Sequence, residues 1–231
     1  MKLPHPLFHG TLIRRYQRFL ADVELDDGTV VTAHTPNTGS MMGCATPGNR
    51  VLLSMSANPG RKYPHSWELV HADGIWVGIN TQLPNLLVRE AIENGTVAEL
   101  GGYRQIRGEV AYGSGSRIDL LLSGESGLCY VEVKNVTLVR SRRALFPDAV
   151  SARAQKHLRE LMEMVSLGHR AVNFFVVQRE DGEAVSPADA IDPAYGSVLR
   201  EAKAYGVELL AYQASVTRTE VRLVRPIPII L

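Results

Sequence analysis

The sequence predicts a two-domain protein of mixed class: an N-terminal OB-like β-barrel over residues 1–82, followed by an α/β domain with a mixed sheet over residues 83–231. Three observations predict it. The first 82 residues read as six short strand-like segments separated by clusters of Gly, Pro, Asn and Asp. Beyond them, apolar strand-like runs alternate with stretches of helical periodicity. Apolar residues make up 45% of 231, ample for a core in each part, while no apolar run approaches the length of a membrane span.

The barrel segments are LFHGTLIRRYQRF, LADVEL, TVVTAHT, NRVLLSMS, SWELVHA and IWVGINT, punctuated by DDG, TPNTGS, TPG, NPGRKYP and ADG. Short strands at this density suit a small closed sheet, an OB-like barrel in preference to an SH3-like one. In the second part, NLLVREAIENG places Leu86, Leu87, Ala91 and Ile92 on one helical face, and Gly95 closes the helix. A first strand near YRQIRGEVAYG and the hairpin RIDLLLSGESGLCYVEVK come next. A helix is expected from Ser151 to Ser166, with Ala154, Leu158, Leu161, Met162 and Val165 buried and Lys156, His157 and Glu160 off the centre of that stripe. The apolar strand AVNFFVVQ, a helix over Pro193–Tyr205 and the strand VELLAY complete a strand–helix–strand unit, which implies parallel pairing by a right-handed crossover.

The hairpin carries the chemistry. Side chains alternate along a strand, so Tyr130, Glu132 and Lys134 share one face, and Arg117, Asp119 and Leu121 separate from Ile118, Leu120 and Leu122. With Gly124 to Gly127 closing the turn and Ser123 facing Leu128, Asp119 stands opposite Glu132. Facing carboxylates repel unless a positive charge lies between them. Two solutions are open: a cross-strand salt bridge from Lys134, or a divalent cation held by hard oxygen ligands with the lysine beside it.

Global charge, +1 with a pI near 7.8, decides nothing about partners. Cys44 and Cys129 are far apart and show no CxxC spacing, which argues against a zinc site or a disulfide framework. MKLPHPLFHG lacks the layout of a signal peptide, so the default expectation is a cytoplasmic protein that does not engage membranes.

An Asp followed on the next strand by Glu-x-Lys, behind a helix carrying Glu90, resembles the PD-(D/E)XK nuclease core. Segments spanning nearly the whole chain, among them RRYQRFLADVEL, AHTPNTGSMMGCATPGNRV, YPHSWELV, GINTQLPN, YVEVKNVTLV and ALFPDAVSARAQKHLREL, are similar to the sugar fermentation stimulation protein A family. That resemblance implies an OB-like domain joined to a restriction-endonuclease-like α/β domain, DNA as partner, and Glu90, Asp119, Glu132 and Lys134 as the catalytic set. The mechanism expected of these residues has Mg²⁺ or Mn²⁺ held by Asp119, Glu132 and the Val133 backbone carbonyl, with Glu90 holding a second ion or a metal-bound water.

Local clustering of cations and aromatics fits a nucleic-acid partner. RRYQRF offers Arg14, Arg15 and Arg18, NPGRKYP offers Arg61 and Lys62, and the span from Arg140 to Arg159 holds six Lys or Arg against Asp148. Arg142, Arg143, Lys156 and His157 are its expected DNA contacts. The turn-rich loop HTPNTGSM is a candidate ligand loop or only a turn. The function expected is metal-dependent phosphodiester hydrolysis on DNA. Its alternative is a non-catalytic DNA-binding regulator acting on maltose or sugar metabolism genes. Oligomeric state, a homodimer included, is left open.

Overall fold

The computed structural model describes residues 1–113 and 115–231. Its barrel is built from β1 (Leu7–Tyr16), β2 (Leu20–Leu25), β3 (Val30–His34), β4 (Arg50–Met55), β5 (His65–Ala72) and β6 (Ile75–Gly78). β1 pairs with both β2 and β4, β4 with β5, and a parallel β3–β5 contact, Ala33 with His65 and His34 with Ser66, closes the sheet on itself. This is the OB-type barrel expected. Gly10 permits the crossing of β1 and β2: a Cβ there would sit 2.5 Å from Val23 Cγ1 and 2.7 Å from the Glu24 carbonyl oxygen. Leu12, Val23, Leu53, Val70 and the fully buried Trp67 fill the interior.

The second domain begins with α1 (Pro84–Glu93) and continues through β7 (Gln105–Tyr112), β8 (Ser116–Gly124), β9 (Gly127–Val136), β10 (Leu138–Arg140) and β11 (Arg143–Phe146). Then come α2 (Ala152–Ser166), β12 (Arg170–Val177), β13 (Ala184–Pro187), α3 (Pro193–Tyr205), β14 (Glu208–Val216) and β15 (Val221–Pro226). The main sheet runs β15-β14-β12-β9-β8-β7, with β12 parallel to both β9 and β14. Leu87 and Val88 of α1 cover one face, over Leu120, Val131 and Phe174. Leu158 and Leu161 of α2 and Leu199 of α3 cover the other, over Leu121 and Phe175. The small sheet β10-β11-β13 and the edge strand β15 are elements the sequence reading lacked.

Local chemistry sets the helix starts beside the site. Ser151 caps α2 by accepting from the Ala154 amide, and Asp192 caps α3 while also accepting from the Ser151 amide and the Gln155 side chain. One carboxylate thereby fixes both helices.

Three details differ from expectation. Leu86 is exposed, and Val88 takes its place in the buried stripe of α1. Ile118 lies in the α2-side core while Leu120 and Leu122 lie in the other. The β7–β8 ladder lapses between Gly108↔Leu120 and Val110↔Ile118, where Glu109 adopts φ +53°, and the strand turns over there. On α2 the buried residues are Ala154, His157, Leu158, Glu160, Leu161 and Met164, so His157 and Glu160 are interior and Met162 and Val165 are not. Each polar intruder has a partner for at least one of its polar atoms: His157 bonds Glu132, and Glu160 Oε1 accepts from Ser116 while its Oε2 has none among the described residues.

The barrel and the α/β domain are joined by polar contacts. Arg179, 1% exposed, donates to Asp73 of the β5–β6 turn at 2.8 Å, to Asp181 at 2.6 Å and to the Thr137 carbonyl at 2.9 Å. The Ser40 hydroxyl and the Met41 amide both donate to Asp148 Oδ2, at 2.8 and 2.9 Å. Among the described residues no helix is long and apolar enough to cross a membrane.

Candidate active site

The β8–β9 ladder runs from Gly124↔Gly127 through Ser123↔Leu128 to Leu120↔Val131, the register expected. Beyond Leu120↔Val131 the paired ladder stops. Asp119 Oδ2 accepts from the Val133 amide at 2.7 Å, a side chain taking the place of a ladder carbonyl. Its Oδ1 accepts from Asn85 at the start of α1, at 2.9 Å. Because strand amides lie in the plane of the sheet, these bonds set the Asp119 carboxylate at the opening between the strands.

Glu132 and Lys134, two residues apart on one strand face, point toward α2. Glu132 is 3% exposed, and its Oε1 accepts from Lys134 Nζ at 2.7 Å and forms a very short hydrogen bond with His157 Nδ1. Lys134 Nζ lies 3.4 Å from the same imidazole nitrogen. Burial opposes ionisation of Glu132, yet the Lys134 ammonium and the His157 hydrogen bond outweigh it and hold the carboxyl below its ordinary range. The opposite holds for Asp119. Burial first and the Glu132 charge second push its carboxyl up to about 6, against the pull of the Val133 amide, Asn85 and Lys134.

One atom of this group is left over: Glu132 Oε2 is buried and, among the described residues, has no hydrogen-bond partner. An anionic oxygen without a donor is the costliest kind of unsatisfied group unless a cation completes it. The donor set, two carboxylates in mutual electrostatic contact at a strand opening, fits a hard divalent cation that keeps part of its water shell. Among the described residues no three His, Cys, Asp or Glu side chains converge to form an all-protein cage.

The structure brings Asp119, Glu132 and Lys134 together and leaves Glu90 out. Glu90 Oε2 accepts from the N-terminal amine of Met1 at 2.9 Å, and its side chain is 46% exposed. It lies five residues beyond Asn85, about 140° around the helix, so both cannot face Asp119. Asn85 is the α1 residue that reaches the site. Val133 donates its amide to Asp119, and it lines a small interdomain cleft.

The expected DNA contacts divide. His157 is 6% exposed and bonded to Glu132, so it belongs to the carboxylate cluster, with Arg153 Nε 3.4 Å from its Nε2. Lys156 donates to Ser116 Oγ at 3.1 Å and pairs with Glu160 at 3.3 Å. Together with Arg153 of the same basic span and Arg117, which was not among the expected contacts, Lys156 and His157 line a cleft of about 580 Å³. Arg15 is a structural clip: its guanidinium donates to the carbonyls of Arg18, Asn37, Gly39 and Ser40, and so cannot also hold a phosphate. Arg18 lines a second cleft, of about 400 Å³. Arg14 pairs with Asp22, Arg61 donates to Ser66, Lys62 sits over the Tyr63 ring, Arg142 pairs with Glu183 and Arg143 donates to Ser186. None of these five lines either cleft.

Comparison with known proteins assigns the architecture a lineage. Residues 13–79 match the family model described as the SfsA N-terminal OB domain, and residues 82–220 match the sugar fermentation stimulation protein RE domain. The sugar fermentation stimulation protein homolog of Citrifermentans bemidjiense is 80% identical over 231 residues, covering 100% of both chains. That of Geobacter metallireducens is 69% identical over 232 residues, again covering 100% of each. The solved structure of Pyrococcus furiosus SfsA in complex with Ca²⁺ is 28% identical, with a TM-score of 0.92 over 100% of both chains. The chain belongs to the sugar fermentation stimulation protein family.

Proposed function

From that family membership and the geometry of the strand opening, we propose that the protein is a DNA-binding phosphodiesterase dependent on a divalent metal, Mg²⁺ or Mn²⁺. The observation that carries the reading is the donor-less, buried Glu132 Oε2 beside Asp119, with Lys134 two residues along. A relative solved in complex with Ca²⁺ supports a hard-cation site within this fold. When bound, the cation supplies Lewis acidity at the scissile phosphate.

The chain's own residues do the rest. Val133 and Asn85 fix the rotamer of Asp119, and His157 fixes that of Glu132, so both carboxylates are preorganised. Lys134 sits within 2.7 Å of Glu132 and offsets the negative charge that develops on the phosphoryl oxygens, while orienting the attacking water. Arg117, Arg153 and Lys156 give the adjoining cleft three cationic groups to receive the flanking backbone phosphates. Glu90 has no part in this reading.

A second reading has its own support. Lys134 and His157 already compensate the Glu132 charge, which is what a DNA-binding regulator without turnover would need for stability. Purified protein incubated with plasmid and with oligonucleotides in Mg²⁺, Mn²⁺ or EDTA separates the two. Hydrolysis requires metal-dependent cleavage that Lys134→Met abolishes. Absence of cleavage under every metal, with salt-dependent binding retained, establishes the regulator.

A further inference from the structure

The interdomain cleft defines what can approach Lys134. It measures about 200 Å³ and lies between Asn37 and Thr81 on one wall and Lys134, Asn135 and Thr137 on the other. Even compact drug-sized sites begin near 300 Å³. One nucleobase fits such a space; a base pair does not.

Nor are the walls free to part. Ser40 and Met41 are tied to Asp148 at 2.8 and 2.9 Å, and Arg15 gathers the carbonyls of Asn37, Gly39 and Ser40 into one rigid loop. On the far side the buried Arg179 links Thr137 to Asp73 of the barrel. Opening the cleft to duplex width would break both ties and leave the Arg179 guanidinium without its barrel partner.

The small cleft adjoins two others. The small cleft shares Phe146 and Asp148 with the larger one bearing Arg18, beside the β1–β2 tip where Phe19 is 41% exposed. Lys134 of the small cleft also lies 3.4 Å from His157, which lines the cleft of Arg117, Arg153 and Lys156. Cations in the two neighbouring clefts, an exposed aromatic and, between them, a cleft of mixed polar and apolar lining with room for one base are features of a single-strand site.

We infer that the substrate of this site is single-stranded DNA, or an unpaired end, laid across these adjoining clefts with one base seated between the barrel loop of residues 36–40 and β9. The inference rests on the nucleic-acid reading above and adds its substrate class. It makes Asn135 and the loop around Thr38 specificity-determining positions, since each borders these clefts without belonging to the carboxylate cluster.

The test is fluorescence anisotropy in EDTA and again in Ca²⁺, with a labelled single strand of about 12 nucleotides and a hairpin duplex of the same sequence. Single-strand affinity is expected to exceed duplex affinity by about tenfold or more. Asn135→Asp keeps the acceptor for Gln178 Nε2, which reaches Asn135 Oδ1 at 2.8 Å, and adds a charge at the small cleft. Thr38→Glu adds one on an exposed loop position where folding is not at issue. Each is expected to weaken the single strand by about threefold or more at low salt. Duplex affinity equal to or above that of the single strand, or unchanged single-strand affinity in both variants, overturns the inference. Because binding is read without turnover, a failure of hydrolysis counts against the catalytic reading alone.

Discussion

Asp119→Asn should make the protein more stable at neutral pH while destroying its proposed metal site. The Asp119 carboxyl titrates near 6 in the folded protein against 3.8 in an unstructured chain, because burial and the Glu132 charge both oppose its ionisation. A folded value above the unfolded one means that ionisation works against the fold: the penalty is absent below about pH 4, grows as pH rises, and is complete above about pH 6. At 1.36 kcal/mol per pH unit the full penalty is about 3 kcal/mol. Asparagine removes it but offers one acceptor oxygen to two donors, the Val133 amide and Asn85, so about 1–1.5 kcal/mol is lost again. The net expectation is a gain of about 1–2 kcal/mol at pH 8 in EDTA, measured by urea denaturation, turning into a small deficit at pH 4. Added Mg²⁺ or Ca²⁺ should then raise the stability of the wild type and not that of the variant, because only the wild type binds the ion in its native state. A variant less stable than the wild type at pH 8 in EDTA would show that the Asp119 charge is comfortably accommodated, and the strained-carboxylate argument would fall.

Other perturbations test the supporting structure. His157→Ala leaves Glu132 Oε1 with Lys134 alone and should destabilise the protein by about 1–3 kcal/mol, whereas His157→Gln, which can still donate, should recover much of that; equal urea midpoints for both variants would deny the imidazole its positioning role. Arg15→Ala should lower the melting temperature by releasing the loop at Asn37–Ser40, while Arg18→Ala should leave it unchanged and flatten the salt dependence of DNA binding by about one unit. The reverse pattern would restore Arg15 to the DNA surface. Gly10→Ala places a methyl group 2.5 Å from Val23 and should destabilise the barrel by about 1–3 kcal/mol, a change that a thermal melt without metal or DNA would reveal.

The hairpin was legible because period-two alternation and a turn of Gly and Ser leave few registers, and the pairing Ser123↔Leu128 carried Asp119 to the ladder's end. The closed barrel was legible for the same reason, dense turn residues between short apolar runs. Helix α2 was misread on its polar side. Arg153, His157 and Glu160 recur at helical spacing, a stripe indistinguishable in sequence from a solvated face. In the structure it is the wall of a cavity, with His157 on Glu132 and Glu160 accepting from Ser116 at 2.8 Å. Hydropathy ranks residues by their dislike of water and is blind to a partner waiting on another strand. Charge counting failed at Arg15 in the same way, since backbone carbonyls look like nothing in sequence, and three from the turn-rich loop, with that of Arg18, took its guanidinium.

Glu90 failed for a geometric reason that also locates the site's real dependence on α1. A helix presents a new face every 100°, so an acid anywhere on the preceding helix is not equivalent to an acid at its first turn. At that first turn stands Asn85, neutral, donating to Asp119 instead of adding a third carboxylate. A third negative charge would have pushed Asp119 further toward its neutral form and weakened it as a ligand; an amide donor favours the ionised form and leaves the second oxygen to the Val133 amide. Lys134 and His157 do the same for Glu132 from the other side. The cluster therefore holds two carboxylates by donors alone, and the oxygen that no donor among the described residues reaches, Glu132 Oε2, is where the proposed cation would complete the set.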